Sequence, residues 1–371
     1  MKLSCLKKQL QETVHTVSRA VSSRSTLPIL NNILIEVSEE HAWLSATDLE
    51  VGIRQRIPLE TAEEGGTTIP ARFLGEVLNS LPEAPVTIES DERELITITC
   101  EKSFYEIHGL PADEFPIIPE VTSENTLTLK QPLLRELIRQ TVFAASTDET
   151  RAILTGALLI LEGQTISLVA TDTHRLALRS STLEEPMQLT VSGDIIIPAR
   201  TLNELYRLLQ ADEEAEVRLD IAENQIQFTL DDTILLSRLI EGQFPNYKKV
   251  IPTEYERCLV LDTDLFHNAV RRCAIVAREN AYKVILRTTP EGELTITADS
   301  HKVGRAEESI PVELEGEPVE IAFNAQYLLD VLGIIDSETV RFELGGPLNP
   351  GAIRPVGEVD YVYVLMPMQI I

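Results

Sequence analysis

Apolar residues recur at helical spacing near the start of each third of the chain. Leu6, Leu10, Val14, Val17 and Val21 fall on one face at about 100° per residue; Leu133, Leu137, Thr141 and Ala144 do the same, as do Leu265, Ala269, Cys273 and Val276. The flanking residues suit helix starts: Ser4 before the first, Gln131-Pro132 with proline near the first helical position, and Asp262 or Asp264 before the third. Between these helices the pattern switches to short β-rich runs, at Asn32 to Val37, Ala157 to Leu161, Lys283 to Arg287, Val86 to Ile88, Leu95 to Thr99, Val217 to Leu219 and Ile226 to Leu230. Gly65-Gly66, Gly163 and Gly292 punctuate them as turns.

The pattern is a threefold repeat. An Ala-Thr-Asp phrase ends an apolar strand at Ala46-Thr47-Asp48 and Ala170-Thr171-Asp172, and a shorter Ala298-Asp299 stands in the third position, with steps of 124 and 127 residues between the aspartates. A second helix phrase follows each: IPARFLGEVL from Ile69, IPARTLNELY from Ile197 and FNAQYLLDVL from Phe323. Phe115-Pro116-Ile117-Ile118-Pro119 and Phe244-Pro245-Asn246-Tyr247 close the first two copies, each followed by a polar stretch suited to a linker. The expected organisation is three domains, 1–121, 122–253 and 254–371, each an α+β unit of two helices and about eight mostly antiparallel strands.

Composition narrows the class without changing this picture. Hydrophobic residues at 43% and charged residues at 25% suit a soluble globular protein. No uncharged apolar run approaches the roughly 20 residues needed to cross a bilayer, and MKLSCLKKQLQE has no signal-like apolar core, so the cytoplasm is the default compartment and no membrane partner is expected. Cys5, Cys100, Cys258 and Cys273 have no pairing or metal-like spacing and read as buried thiols, with no metal or cofactor implied.

Charge does change the picture. The net charge is -27, yet six helical segments (2–24, 70–81, 130–144, 198–210, 262–278 and 323–336) together carry +6, leaving -33 on the rest. Lys8, His15 and Arg19, then Arg135 and Arg139, then His267, Arg271 and Arg278 project opposite the apolar faces of the first helices. Any one of these suits an ordinary solvated helix face, but a basic face repeated in an acidic chain suits phosphates. With no zinc finger, recognition helix or aromatic interleaving, the contact expected is to the backbone and independent of sequence. Helices packed about 10 Å apart limit the geometry: six close a circle with too little free space for a duplex, whereas twelve leave near 28 Å, so two chains joined head to tail would suffice.

SSRSTLPIL at Ser22 to Leu30, ATDTHRLAL at Ala170 to Leu178, EGQFPNYKKVIP at Glu241 to Pro252 and YVLMPM at Tyr363 to Met368, with the threefold repeat, resemble the bacterial DNA polymerase sliding clamps, the beta subunits of the replicative polymerase. The resemblance spans the chain. It implies two crescent subunits forming a ring around duplex DNA, helices inside and sheets outside, and a cytoplasmic, nucleoid-associated processivity factor without catalytic chemistry. By motif, Arg24 matches a DNA-contacting arginine, and Arg72 and Arg200 open second helices that face the hole; Gln326 takes that place in the third copy. Lys8, Arg19, Arg135, Arg139 and Arg271 complete the expected DNA-contacting set. The chain departs from the family at Asp148, Ala152 and Ile153, where a glutamine and tyrosines stand, and in its tail Gln369-Ile370-Ile371, where a basic residue and a leucine are usual.

The resemblance also implies a partner-peptide cleft of Leu154, Thr171, Thr173, His174, Arg175, Leu176, Pro245, Lys249, Val250, Val364, Leu365, Met366, Pro367 and Met368, an apolar groove rimmed by Arg175 and Lys249. Methionine, unbranched and polarizable, suits a surface that accepts several apolar peptides. The partners implied are duplex DNA, the replicative polymerase catalytic subunit, the clamp loader, other polymerases and repair proteins carrying clamp-binding peptides, and a second copy of the chain. The dimer contact would set the edge strand Lys102 to His108, with Tyr105, against Ile275 and Val276, and Glu101 and Glu106 opposite Lys302 and Arg305.

Other readings of the residues compete. Asp48, Asp172 and Asp299 suit turns or caps better than catalytic acids. His174 beside Asp172 has no nucleophile or second base placed by sequence. A hydrolase or phosphate-binding enzyme lacks a P-loop, a nucleophile elbow or clustered metal ligands. A cytosolic adaptor that binds peptides in the same cleft without encircling DNA remains the alternative.

Overall fold

The computed structural model describes residues 1–22, 27–121, 123–187, 189, 193–357 and 359–370. Arg24 of the expected DNA-contacting set lies outside them. The described residues form six α-helices, α1 (Lys7–Val17), α2 (Ala71–Ser80), α3 (Gln131–Thr141), α4 (Ala199–Leu208), α5 (Thr263–Ala277) and α6 (Ala325–Leu332), with 26 strands divided nine, eight and nine among the repeats. Each repeat contributes two of the helices, and the strand ladders among the described residues are antiparallel.

Contacts divide the chain into two compact units that do not follow the repeats. The first comprises Met1–Pro132, Leu189–Val191 and Arg207–Leu239; the second comprises Leu133–Gln188, Ser192–Tyr206 and Ile240–Ile371. Sheet pairing explains the division. In the first unit an eight-stranded sheet runs Thr126–Lys130, Glu216–Ile221, Gln225–Leu230, Thr233–Arg238, Val51–Pro58, His41–Thr47, Asn32–Val37, Gly65–Pro70. Its first four strands come from repeat two and its last four from repeat one, joined by a ladder from Thr233 opposite Gln55 to Ser237 opposite Val51. A five-stranded sheet, Thr61–Glu63, Lys2–Leu6, Pro85–Ser90, Leu95–Cys100, Ser103–His108, completes this unit.

The second unit repeats the device. Its nine-stranded sheet joins Ile195–Pro198, Gly156–Glu162, Thr165–Thr171 and Arg175–Thr182 of repeat two to Tyr361–Leu365, Gly351–Pro355, Thr339–Leu344, Arg257–Asp262 and Glu313–Glu315 of repeat three, across a ladder from Arg175 opposite Leu365 to Arg179 opposite Tyr361. A four-stranded sheet, Gly304–Pro311, Glu293–Ser300, Lys283–Thr288, Glu320–Asn324, completes it.

The first helices are present, but their phase and starts differ from the sequence expectation. Each is preceded by a strand that belongs to the same repeat, so Ser4 lies in a strand and Leu6, 47% exposed, is the uncapped residue before α1. Lys7 takes the inward place: only 7% exposed, it bonds Glu83 at 2.6 Å, and the apolar stem packs while the ammonium keeps a partner. In α3 Leu134, Leu137, Ile138 and Thr141 are buried while Leu133 is only half so; in α5 Phe266, Ala269, Val270, Cys273 and Ala274 are buried while Leu265 is exposed. A wide apolar stripe admits two phases one residue apart, and the preceding strand chooses between them. Asp262 does cap α5, its carboxylate accepting from the Leu265 amide at 2.8 Å. All four cysteines are free and buried; burial pushes Cys5 up to about 12 and Cys258 and Cys273 up to about 11, so these thiols stay protonated at neutral pH.

Candidate functional site

The Ala-Thr-Asp phrase builds one wall of a groove in the second unit. Asp172 accepts the amides of His174 at 2.9 Å and Arg175 at 3.0 Å, and the Thr171 hydroxyl donates to the Arg175 carbonyl at 2.6 Å, closing a tight turn. The turn holds Thr173 at φ +80°, a conformation costly for a β-branched residue. Asp48 builds the same turn in repeat one, accepting from Glu50 and Val51, with Leu49 at φ +78°. Asp299 does not follow them: it lies inside the strand Glu293–Ser300 opposite Arg305, so the turn reading holds for two of the three aspartates.

The opposite wall is the segment after Gly242. That glycine has φ +135°, and a Cβ there would meet Ile153 Cδ1 at 2.7 Å, so the chain turns tightly beside the segment Glu149–Thr155. Phe244 then plugs the core, its amide bonded to Asp194 at 2.7 Å. A third side comes from the end of Tyr361–Leu365, where the Met366 amide donates to the His174 carbonyl at 2.8 Å. Together they enclose about 200 Å³ lined by Leu154, Thr171, Thr173, His174, Arg175, Leu176, Pro245, Asn246, Tyr247, Val250, Val364 and Met366. Leu176 and Val364 in its floor belong to a core cluster with Leu158, Val169, Ile196 and Phe244, so the floor is rigid while Met366 at 41% exposure and Val250 at 45% stay open to solvent.

Ten of the fourteen expected cleft residues line this groove. Lys249, Leu365, Pro367 and Met368 do not: Leu365 is fully buried, and the Met368 amide bonds the Ala322 carbonyl at 2.7 Å, leading the tail away from the groove. Asn246 and Tyr247 line it without having been singled out, although both stand in the phrase Glu241 to Pro252. Arg175 is not a free rim charge. Its side chain is 11% exposed; Nε bonds Asp172 at 3.0 Å, Nη1 bonds Asp330, and Nη2 donates to the Phe143 carbonyl at 2.9 Å. Burial alone lowers its proton affinity, but Tyr363 and Asp330 outweigh that and hold it above its ordinary value.

A chain with this fold and groove has known relatives. Models of the N-terminal, central and C-terminal domains of the DNA polymerase III beta subunit match residues 1–119, 128–246 and 248–369. The chain belongs to the DNA polymerase III beta subunit family. It is 34% identical to the beta sliding clamp of Bacillus subtilis over 379 residues, covering 100% of both chains, and 33% identical to that of Halalkalibacterium halodurans over 368 residues, covering 96% of this chain and 97% of the other. Crystal structures of the Bacillus subtilis sliding clamp, with TM-score 0.94 and 33% identity, and of the Pseudomonas aeruginosa DNA polymerase III subunit beta, with TM-score 0.93 and 34% identity, each match over 100% of both chains.

The DNA-contacting residues expected of a beta subunit separate here into two kinds. Lys8, Arg200 and Arg271 are exposed, and Arg72, with an 86% exposed side chain, meets its helix neighbour Glu76 at 2.9 Å. Arg19 is half-buried. Arg135 stacks over the Tyr206 ring at 4.3 Å. Arg139 is committed to structure: it bonds Glu136, Asp336 and the Ile334 carbonyl, and although burial lowers its proton affinity those two carboxylates raise it more. Sequence projection located these residues on a helix face but not the acids arriving from distant segments.

The expected dimer residues lie on surfaces. Lys102 is exposed and Tyr105 half-buried on the edge strand Ser103–His108, where Phe104, not singled out by sequence, is 61% exposed; Ile275 is 64% exposed and Val276 half-buried on α5. Among the described residues there is no group of three or more His, Cys, Asp or Glu that would hold a metal, and no helix long and apolar enough to cross a membrane.

Proposed function

We propose that this chain is a processivity clamp: two copies join head to tail into a ring that surrounds duplex DNA without sequence preference, helices inward, and tethers the replicative polymerase catalytic subunit and other partners through the groove. It carries no catalytic chemistry in this reading, and its domains divide near 121 and 253. A cytoplasmic, nucleoid-associated location, loading by a clamp loader, and exchange among polymerases and repair proteins with clamp-binding peptides come with it.

The observation that carries the reading is the pairing of sheets between repeats. Repeat two lends Thr233–Arg238 to Val51–Pro58 of repeat one, and repeat three lends Tyr361–Leu365 to Arg175–Thr182 of repeat two. One strand of each kind is left at an edge: Ser103–His108 of repeat one and Gly304–Pro311 of repeat three. Unpaired edges template pairing with another chain. The same rule applied between two copies joins them head to tail.

The register follows from the two internal seams. Leu236 faces Gly52 and Val364 faces Leu176, and each donor lies four residues before the one whose amide bonds the second-helix strand, Ile240 to Ile196 and Met368 to Ala322. In repeat one that residue is Leu110, bonded to Thr68, so the donor is Glu106. On the receiving side Gly52 faces Thr47 and Leu176 faces Thr171; the matching pair in repeat three is Arg305 facing Asp299. Glu106 of one copy therefore meets Arg305 of the other, and Tyr105 meets Ala306.

Retention on DNA of two topologies tests the clamp. Once loaded, the protein stays on closed circular DNA at salt that removes ordinary phosphate binders, and leaves when the circle is cut; equal loss from both substrates defeats encirclement and leaves the peptide-binding adaptor. Charge exchange tests the register. Glu106→Arg or Arg305→Glu alone weakens the dimer, by about fivefold or more in dissociation constant, and the two together restore it.

A further inference from the structure

We infer that Asp330, which lies outside the groove, is a positioning residue for it and ties its turn to α6. The inference rests on the groove being the peptide site. Asp330 is shared: Oδ1 accepts from Gln326 Nε2 at 2.7 Å, and Oδ2 accepts from Arg175 Nη1. Arg175 passes the restraint on, bonding Asp172 through Nε, and Asp172 orders the turn that presents Thr173 and His174. The Arg175 guanidinium is also flanked by rings, 4.5 Å from the centre of Tyr327 on α6 and 5.5 Å from that of Phe143. A second tie runs from the third side, where the Tyr363 hydroxyl donates to the Tyr327 carbonyl at 3.0 Å.

Comparison of the repeats isolates what is special here. Repeat one has the same first-turn pair, Arg72 with Glu76, but its acid is longer and 58% exposed against 25% for Asp330. The strand position matching Arg175 is Val51, an apolar residue 3% exposed, so across that seam Glu204 of repeat two, which matches Asp330, has a valine in place of the arginine. Where the groove is open, an acid of a second helix reaches a cation beneath the turn. Gln326, neutral where repeats one and two carry Arg72 and Arg200, leaves the Asp330 charge to Arg175.

Gln326→Arg is therefore the decisive variant. An arginine there recreates the pair of repeat one and draws Asp330 away from Arg175, without touching the groove. A fluorescent peptide copying the clamp-binding segment of the cognate replicative polymerase reports affinity by anisotropy on the full-length protein. Gln326→Arg raises its dissociation constant about fivefold and Asp330→Asn about tenfold, while in the Asp330→Asn background Gln326→Arg adds nothing. Asp330→Glu, which keeps the charge, recovers part of the affinity and serves if the asparagine variant folds poorly. An unchanged affinity in Gln326→Arg overturns the inference, as does an equal loss with and without Asp330. A wild-type protein that binds no peptide removes the groove reading itself, which is a distinguishable result.

Discussion

Repeats one and two build the same turn and end with different grooves. In both, a threonine hydroxyl bonds the carbonyl four residues on, an aspartate orders the next amides, and the intervening residue sits near φ +80°. Yet the hollow beside Thr47 and Val51 measures about 80 Å³ against about 200 Å³ beside Thr171 and Arg175. Two coupled positions account for it. Repeat one has Gly52 where repeat two has Leu176, and the space goes to Ile118, whose Cγ2 lies 3.3 Å from where a Gly52 Cβ would stand. Repeat two has Tyr247 in the place of Ile118, and it forms a side of the groove over a leucine floor. One repeat fills its own hollow; the other leaves it open. The strained turn is thus common scaffold, and the side chains beside it decide whether a site exists.

The largest expected effect is on that ligand. Leu176→Ala with Met366→Ala removes apolar floor and lid and weakens polymerase-peptide binding by roughly 100-fold or more, at about 1.5–3 kcal/mol for each large apolar side chain truncated. Sedimentation of this variant is expected to match that of the wild type. Leu49→Ala, at the matching turn of repeat one, leaves peptide affinity alone; equal losses from both would erase the distinction between the grooves. Next in size is Gly52→Leu, which gives repeat one the floor of repeat two while Ile118 still occupies the space. Overpacking costs about 1–3 kcal/mol in the first unit. Trp43, the single tryptophan, lies in that unit and reports its denaturation midpoint by fluorescence. Ile118→Ala in the same protein relieves most of the loss, because the two positions share one space.

The repeats were legible because each copy states its helices and strand ends in similar words: Asn32 to Val37 is a strand with those same bounds, and the three second-helix phrases start helices at Ala71, Ala199 and Ala325. The groove was legible through His174 to Leu176 and Met366, by the family resemblance that implied a cleft there. What sequence left hidden depends on long-range partners. Nothing local marks Lys7 as buried against Glu83, 76 residues away, or Arg175 as consumed by Asp330, 155 residues away. Met366 and Met368 look alike in sequence, and only the bond of Met368 to Ala322 separates lid from anchor. Likewise, pairing of edge strands between repeats is a property of the sheet, and alternation along one strand does not announce its neighbour.

The smallest effect sharpens the comparison from its exposed side. Ile117 is 92% exposed and adjoins the hollow that Ile118 fills. An apolar residue so open suggests a contact surface on the pattern of repeat two, where the matching Asn246 lines the groove. The hollow beneath it is less than half the size of the groove of repeat two, however, and a single exposed apolar side chain is ordinary. Ile117→Ser therefore changes the stability of the first unit, followed through Trp43 fluorescence, by less than about 0.5 kcal/mol and leaves peptide affinity unchanged. A loss of peptide affinity in this variant would mean that repeat one also receives ligand, and that the filling of its hollow by Ile118 does not silence it.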